Sequence, residues 1–165
     1  MIQLTATPES RQDVEELAAF FQGLNSPTIS MRQEVGDVVR RLFASHFEQE
    51  GSPASGPWAD LEDWTQRERI AEGFGGKHPV LERYGDYRRS FTESLSGNSI
   101  ENLIARNSGW TLELGSGDWR VEELEGGRPN MDARPVTRMT DGEASEIGDV
   151  LDRLFQQAAD DMDKA

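Results

Sequence analysis

The chain has 165 residues, a length that suggests one domain; 35 % are hydrophobic, 29 % are charged, and the formal net charge is -14. So acidic a chain lacks the cationic surface by which sequence-independent nucleic-acid binders displace counterions, and it repels its own copies until a specific contact forms. There is no cysteine, which excludes disulfides, thiolate metal sites and thiol catalysis; no apolar run approaches the ~20 residues a membrane span needs, and the N-terminus MIQLTATPES has no signal-peptide pattern.

Ile2, Leu4 and Ala6 alternate with Gln3, Thr5 and Thr7, the period of a half-buried strand that Pro8 ends. Ser10 and Asp13 then predict a helix start, with Val14, Leu17, Ala18, Phe21 and Leu24 at helical spacing and Gly23 and Asn25 as a stop. Ser26-Pro27 begins a second helix, because proline suits the first helical position. Its apolar stripe is broad: Met31, Val35, Val38, Leu42, with Val39, Phe43 and Phe47, ending at Gly51. Core packing is the expected role of these residues.

GSPASGP at 51–57 is a loop by composition, and a charged helical stretch at Gln66 to Glu72 is interrupted by GFGG at 73–76. Residues 51–80 therefore read as a long loop excursion, a candidate for reaching a neighbour. Within it, Trp58 is the leading candidate for an interface anchor. Tyr84, Tyr87, Phe91 and Leu95 predict one apolar face of a helix within Val80 to Leu95. Ile100–Arg106 and Trp110–Leu114 flank Asn107-Ser108-Gly109 and predict an antiparallel hairpin. A capping box at Thr140 and Glu143 opens a closing amphipathic helix with Ile147, Leu151, Leu154, Phe155 and Ala158, followed by an acidic, frayed tail at 160–165. The fold class is thus α+β: an N-terminal strand and two helices, a central antiparallel hairpin or small sheet, and a C-terminal amphipathic helix.

No catalytic, cofactor-binding or metal set emerges. His46, with Glu48 near it, lacks the further ligands at defined spacing that a metal requires, and His78 sits at a loop end. GSG at 115–117 lacks the third glycine of a dinucleotide loop, and GFGGK at 73–77 lacks the spacing and the Ser/Thr of a P-loop. Carboxylates are so abundant that a close pair says nothing about glycosidase chemistry. No enzyme activity and no cofactor are expected.

Four segments resemble one family in order: SGPW at 55–58, LERYGDYRRSF at 81–91, WRVEELEGG at 119–127 and DARPVTRM at 132–139. Together with the order of elements they resemble the phage virion morphogenesis, or tail completion, family of Mu-like and P2-like phages. Tyr87 stands where the family has an aliphatic residue, Trp119 where it has tyrosine, and Val136-Thr137 where it has Phe-Leu. The resemblance implies a structural virion protein of a tailed phage or tail-like particle, assembled in the host cytoplasm. It would form a homo-oligomeric ring, hexameric by preference or dodecameric, at the head-proximal end of the tail. Its implied partners are the tail tube protein and the head connector or neck proteins, with no sequence-specific nucleic-acid binding and no membrane. Trp58, Tyr84, Trp119, Arg134 and Pro135 are the expected interface or interface-shaping residues, with Arg134 suited to an inter-subunit ion pair; core packing is the competing role for Tyr84 and Trp119. The alternative from a different class is an acidic adaptor or inhibitor that binds a basic protein by nucleic-acid mimicry.

Overall fold

The structure, a computed structural model, describes residues 2–5, 27–77, 79–94, 96–106, 109–129 and 131–162. It is an α+β fold. In chain order the elements are β1 (Ile2–Thr5), α1 (Pro27–Gln49), β2 (Gly51–Ser52), β3 (Gly56–Pro57), α2 (Asp63–Ala71), α3 (Asp86–Thr92), β4 (Ser99–Arg106), β5 (Gly109–Ser116), α4 (Val121–Gly126) and α5 (Asp141–Met162). The helix expected from Ser10 to Leu24 lies outside the described residues, as do His78, Leu95 and the side chain of Trp110.

The chain divides into two compact units, each drawn from separated segments: Met1–Val39 with Glu101–Leu114 and Asp141–Ala165, and Arg40–Ile100 with Gly115–Thr140. The first unit contains a three-stranded sheet of order β1-β5-β4. β1 pairs antiparallel with β5 in the register Ile2 to Leu114 and Leu4 to Leu112. Leu112 and Leu114 are buried while Glu113 between them is half-exposed, the alternation a one-sided sheet requires. Val35, Val38 and Val39 of α1 and Ile147 and Leu154 of α5 are also buried in this unit. Arg32 pairs with Glu101 at 3.1 Å and Arg153 with Glu34 at 2.6 Å, tying its elements. Both pairs are partly solvated and worth little energy, so the apolar surface holds the unit together.

The second unit is built on an aromatic cluster. Phe47 meets Trp58 with ring centroids 5.6 Å apart and Tyr87 at 6.0 Å; Phe91 meets Phe43 at 5.4 Å and Tyr87 at 5.2 Å. All four contacts are edge-to-face, the arrangement favoured by the ring quadrupole. Tyr87 and Phe91 come from α3, which is shorter than the sequence suggests: it begins at Asp86, so Tyr84 precedes it and stands 60 % exposed.

The excursion at 51–80 is more ordered than its composition suggests. Glu50 ends α1 in a left-handed conformation at φ 48°, which reverses the chain. β2 and β3 then form a tight hairpin, in which Trp58 N–H donates to the Glu50 carbonyl at 2.6 Å. Gly51 is obligatory there, since a Cβ would lie 2.5 Å from the Gly56 carbonyl oxygen. The helix read from Gln66 in fact starts at Asp63. At the other end of the chain, helix α5 extends through Met162, into the segment read as a frayed tail.

Gly148 lies inside α5, and a Cβ there would meet nothing within 4 Å. Gly148→Ala is expected to stabilise the protein by up to ~1 kcal/mol, from the helix propensity gained without a clash. A higher midpoint in chemical denaturation at unchanged slope is the check.

Candidate functional site

The segment Trp119–Pro135 is fastened into the second unit at both ends. Its first anchor is Asp118, whose side chain is nearly fully buried. The Asp118 carboxylate accepts from the Arg120 backbone N–H at 2.9 Å and from its Nε at 2.8 Å, an Asx turn that opens α4. The Arg120 guanidinium also bridges to Asp86 at 2.6 Å and lies 5.2 Å from the centroid of the Tyr87 ring. One arginine thus ties α4 to the start of α3 and caps the aromatic cluster. The Arg120 hydrogen bonds hold the Asp118 carboxyl below its ordinary value against the opposing effect of burial. Burial pushes Asp86 up, and the Arg120 hydrogen bond and charge outweigh it, leaving Asp86 lowered as well. The same two carboxylates hold the Arg120 guanidinium protonated more firmly than usual. Burial, followed by the charges of Glu125 and Asp118, raises the Tyr87 phenol well above its normal range. Among the described residues its hydroxyl has no hydrogen-bond partner.

The second anchor is the 133–137 turn. Gly127, at φ 73°, closes α4, and a Cβ there would lie 2.9 Å from both Ala133 N and Met131 O, so only glycine fits. Arg134 N–H donates to the Leu124 carbonyl at 2.6 Å. The Glu125 carboxylate accepts from Val136 N–H at 2.7 Å and from the Thr137 hydroxyl at 2.8 Å. Arg134 is 5 % exposed; its Nε and one terminal nitrogen donate to the carbonyls of Ala59 and Asp60, each at 2.9 Å. Burial lowers its pKa, with Asp132, Glu62 and Asp60 opposing. The Trp58 indole N–H donates to the Pro135 carbonyl at 3.1 Å, and His46, fully buried, donates from Nδ1 to the Val136 carbonyl at 2.8 Å.

These positions correct part of the sequence reading. Trp58 is 6 % exposed, so it is a core residue and not an outward anchor; the β2–β3 hairpin turns it onto Phe47. Arg134 is held by main-chain carbonyls inside its own chain, which removes it as the cation of an inter-subunit pair; Pro135 is buried beside it. Both shape the surface from beneath. Tyr84 and Trp119, in contrast, are 60 % and 76 % exposed. Tyr84 packs edge-on against Phe74 at 5.2 Å and donates from its hydroxyl to Glu72 at 3.3 Å, while the Arg83 hydrogen bond holds Glu72 below the usual carboxylate range. The Arg120–Asp86 bridge ties the residue after Trp119 to the residue two positions beyond Tyr84.

Sequence reasoning missed the Asp118–Arg120–Asp86 cluster, Glu125 and the buried Arg69, whose guanidinium donates to the Pro79 carbonyl at 2.9 Å. For Asp118 a signal existed: an aspartate two residues ahead of arginine, before VEELE, is an Asx-turn helix start. For Arg69 and Glu125 none did, because their partners, most of them main-chain groups, lie 10 to 12 residues away. Among the described residues no group of three or more His, Asp or Glu could hold a metal ion, and no helix is long and apolar enough to cross a membrane. No family model, curated protein or solved structure matches the chain.

Arg120→Met removes the cation from two carboxylates, one of them buried. Because Arg120 keeps 28 % of its side chain in solvent, the expected loss is about 1–3 kcal/mol, below the ~3–5 kcal/mol of a fully buried pair. Asp118 also carries a pH signature. Its folded pKa lies below the ordinary 3.8, so its stabilisation is present above that value and lost as pH falls through the folded one. Asp118→Asn is expected to lower stability at neutral pH and flatten its further decline below 3.8. Denaturant titrations across the acid range check both.

Proposed function

We propose that this protein is a structural component of a tailed phage or tail-like particle, forming a homo-oligomeric ring at the head-proximal end of the tail. The observation that carries the reading is the convergence of the four segments on which the family resemblance rests. Trp58 of SGPW donates to Pro135 of DARPVTRM; Arg134 returns two hydrogen bonds to the residues after Trp58; Arg120 of WRVEELEGG binds Asp86 and covers Tyr87 of LERYGDYRRSF. Segments up to 77 residues apart therefore interlock as one structural device.

The device suits assembly. It buries its polar groups against the main chain and leaves Tyr84 and Trp119 outside, on a rigid support. The net charge of -14 opposes premature association, so assembly waits for a specific contact. Head-to-tail contacts between copies close into a ring when the rotation permits.

The test is the mass of the purified protein in solution, alone and with the tail tube protein encoded beside it. A closed ring, either present alone or formed on the tube, is the expected result. A strict monomer that ignores tube and connector but captures a basic protein overturns this reading in favour of an acidic mimic.

A further inference from the structure

The sheet of the first unit has two edges that no strand covers among the described residues. Its order is β1-β5-β4, so β5 is paired on both sides while β1 and β4 are each paired on one. A strand edge presents a row of main-chain N–H and C=O groups, and its complement is another extended backbone. Proteins that keep an edge solitary guard it with proline, lysine or an inward-pointing charge. Little of that protection is present here. Residues 101–105 of β4 include no proline and no lysine, and the one charge ahead of the terminal Arg106 is Glu101. Glu101 is engaged with Arg32 of α1 at 3.1 Å, inside its own chain. Asn102 is exposed, and Ile104, on the same side of the strand, is half-exposed. β1 contains no charged residue and no proline.

The two edges suit each other. β1 runs antiparallel to β5, and the short connection between Arg106 and Gly109 makes β4 and β5 an antiparallel hairpin. β1 and β4 therefore run in the same direction. A rotation about an axis along the strands sets β4 of one copy beside β1 of the next, in parallel. Position 3 of β1 lies opposite the half-exposed Glu113, so the solvent-side positions at such a seam are 3 on β1 and 102 and 104 on β4.

We propose that β4 of one copy pairs with β1 of the next, so that the sheet runs on from copy to copy. The occupant follows from charge and from topology. Copies of a chain with net charge -14 repel wherever acids face acids, and these edges bring together strands whose one acid is already matched by Arg32. Each copy supplies one β4 edge and one β1 edge, and the head-to-tail pairing uses both. A two-fold pairing of β4 with β4 stops at two copies and leaves β1 uncovered. The contact is heterologous, the kind that closes into a ring. This rests on the ring reading and names its contact.

The chain has no cysteine, so introduced thiols report the seam on the full protein. Within one chain β1 and β4 lie two strand spacings apart, about 10 Å, beyond the ~7 Å that a disulfide spans between Cα atoms. Gln3→Cys protein is mixed with Asn102→Cys or Ile104→Cys protein, with and without tube protein, and treated with oxidised glutathione. A covalent heterodimer is the expected product, and Gln3→Cys combined with Asn102→Cys is expected to give a ladder of linked copies. Asn102→Lys, which supplies an edge guard, is expected to weaken assembly several-fold in mass measurements. Unchanged circular dichroism spectra and melting temperatures establish that the variants fold. Rings that form without a cross-link at either position overturn this contact and leave the ring reading standing. Asn102→Cys protein that links to itself as a closed dimer overturns the head-to-tail pairing in favour of a two-fold one. Wild-type protein that stays monomeric even with the tube overturns the ring reading and this contact together.

Discussion

The buried guanidinium of Arg134 is the constraint around which the second unit is arranged. A guanidinium out of water is costly unless its donors are met. Here its donors meet two consecutive main-chain carbonyls, Ala59 and Asp60. That satisfaction requires the chain after Trp58 to run in one direction, with its carbonyls inward. The adjacent Trp58 indole then reaches Pro135, and His46 reaches Val136. Three buried side chains thus grip the main chain of 59–60 and 135–136, so neither the 58–60 turn nor the 134–136 turn can shift without stranding a buried polar group.

Aromatic packing supplies the energy and the polar contacts supply the uniqueness. Phe43, Phe47, Trp58, Tyr87 and Phe91 bury large apolar area in edge-to-face contacts, which would tolerate several arrangements. Arg120 over Tyr87, Glu125 on Val136 and Thr137, and Ser116 on Ser90 at 2.7 Å each admit only one. Such a support is stiff where the exposed aromatics Tyr84 and Trp119 are mounted. Stiffness at a contact surface lowers the ordering cost of association.

Charge is distributed unevenly along the chain. The acids concentrate late: from Glu122 onward there are twelve against five Lys and Arg. Cations of the second unit are engaged locally, as Arg83 is with Glu72 and Arg88 with Glu82.

Local pattern is enough to establish the α+β class, the central hairpin, α1 with its apolar stripe, and α5 beginning after Thr140. These follow from periodicity and capping, which act over one or two turns and are written in adjacent residues. The segments that carry the resemblance are legible in the same way. The direction of a side chain in an irregular stretch is not, because no periodicity assigns a face there. Trp58, a candidate interface anchor, and Arg134, a candidate for an inter-subunit ion pair, are both buried; Tyr84 and Trp119, for which core packing is an equal alternative, are exposed. What settles each is a partner far along the chain: Pro135 for Trp58, the 59–60 carbonyls for Arg134, Asp86 for Arg120 beside Trp119. Burial of a polar group is decided by whether its donors find acceptors, and only the tertiary structure brings those acceptors within reach.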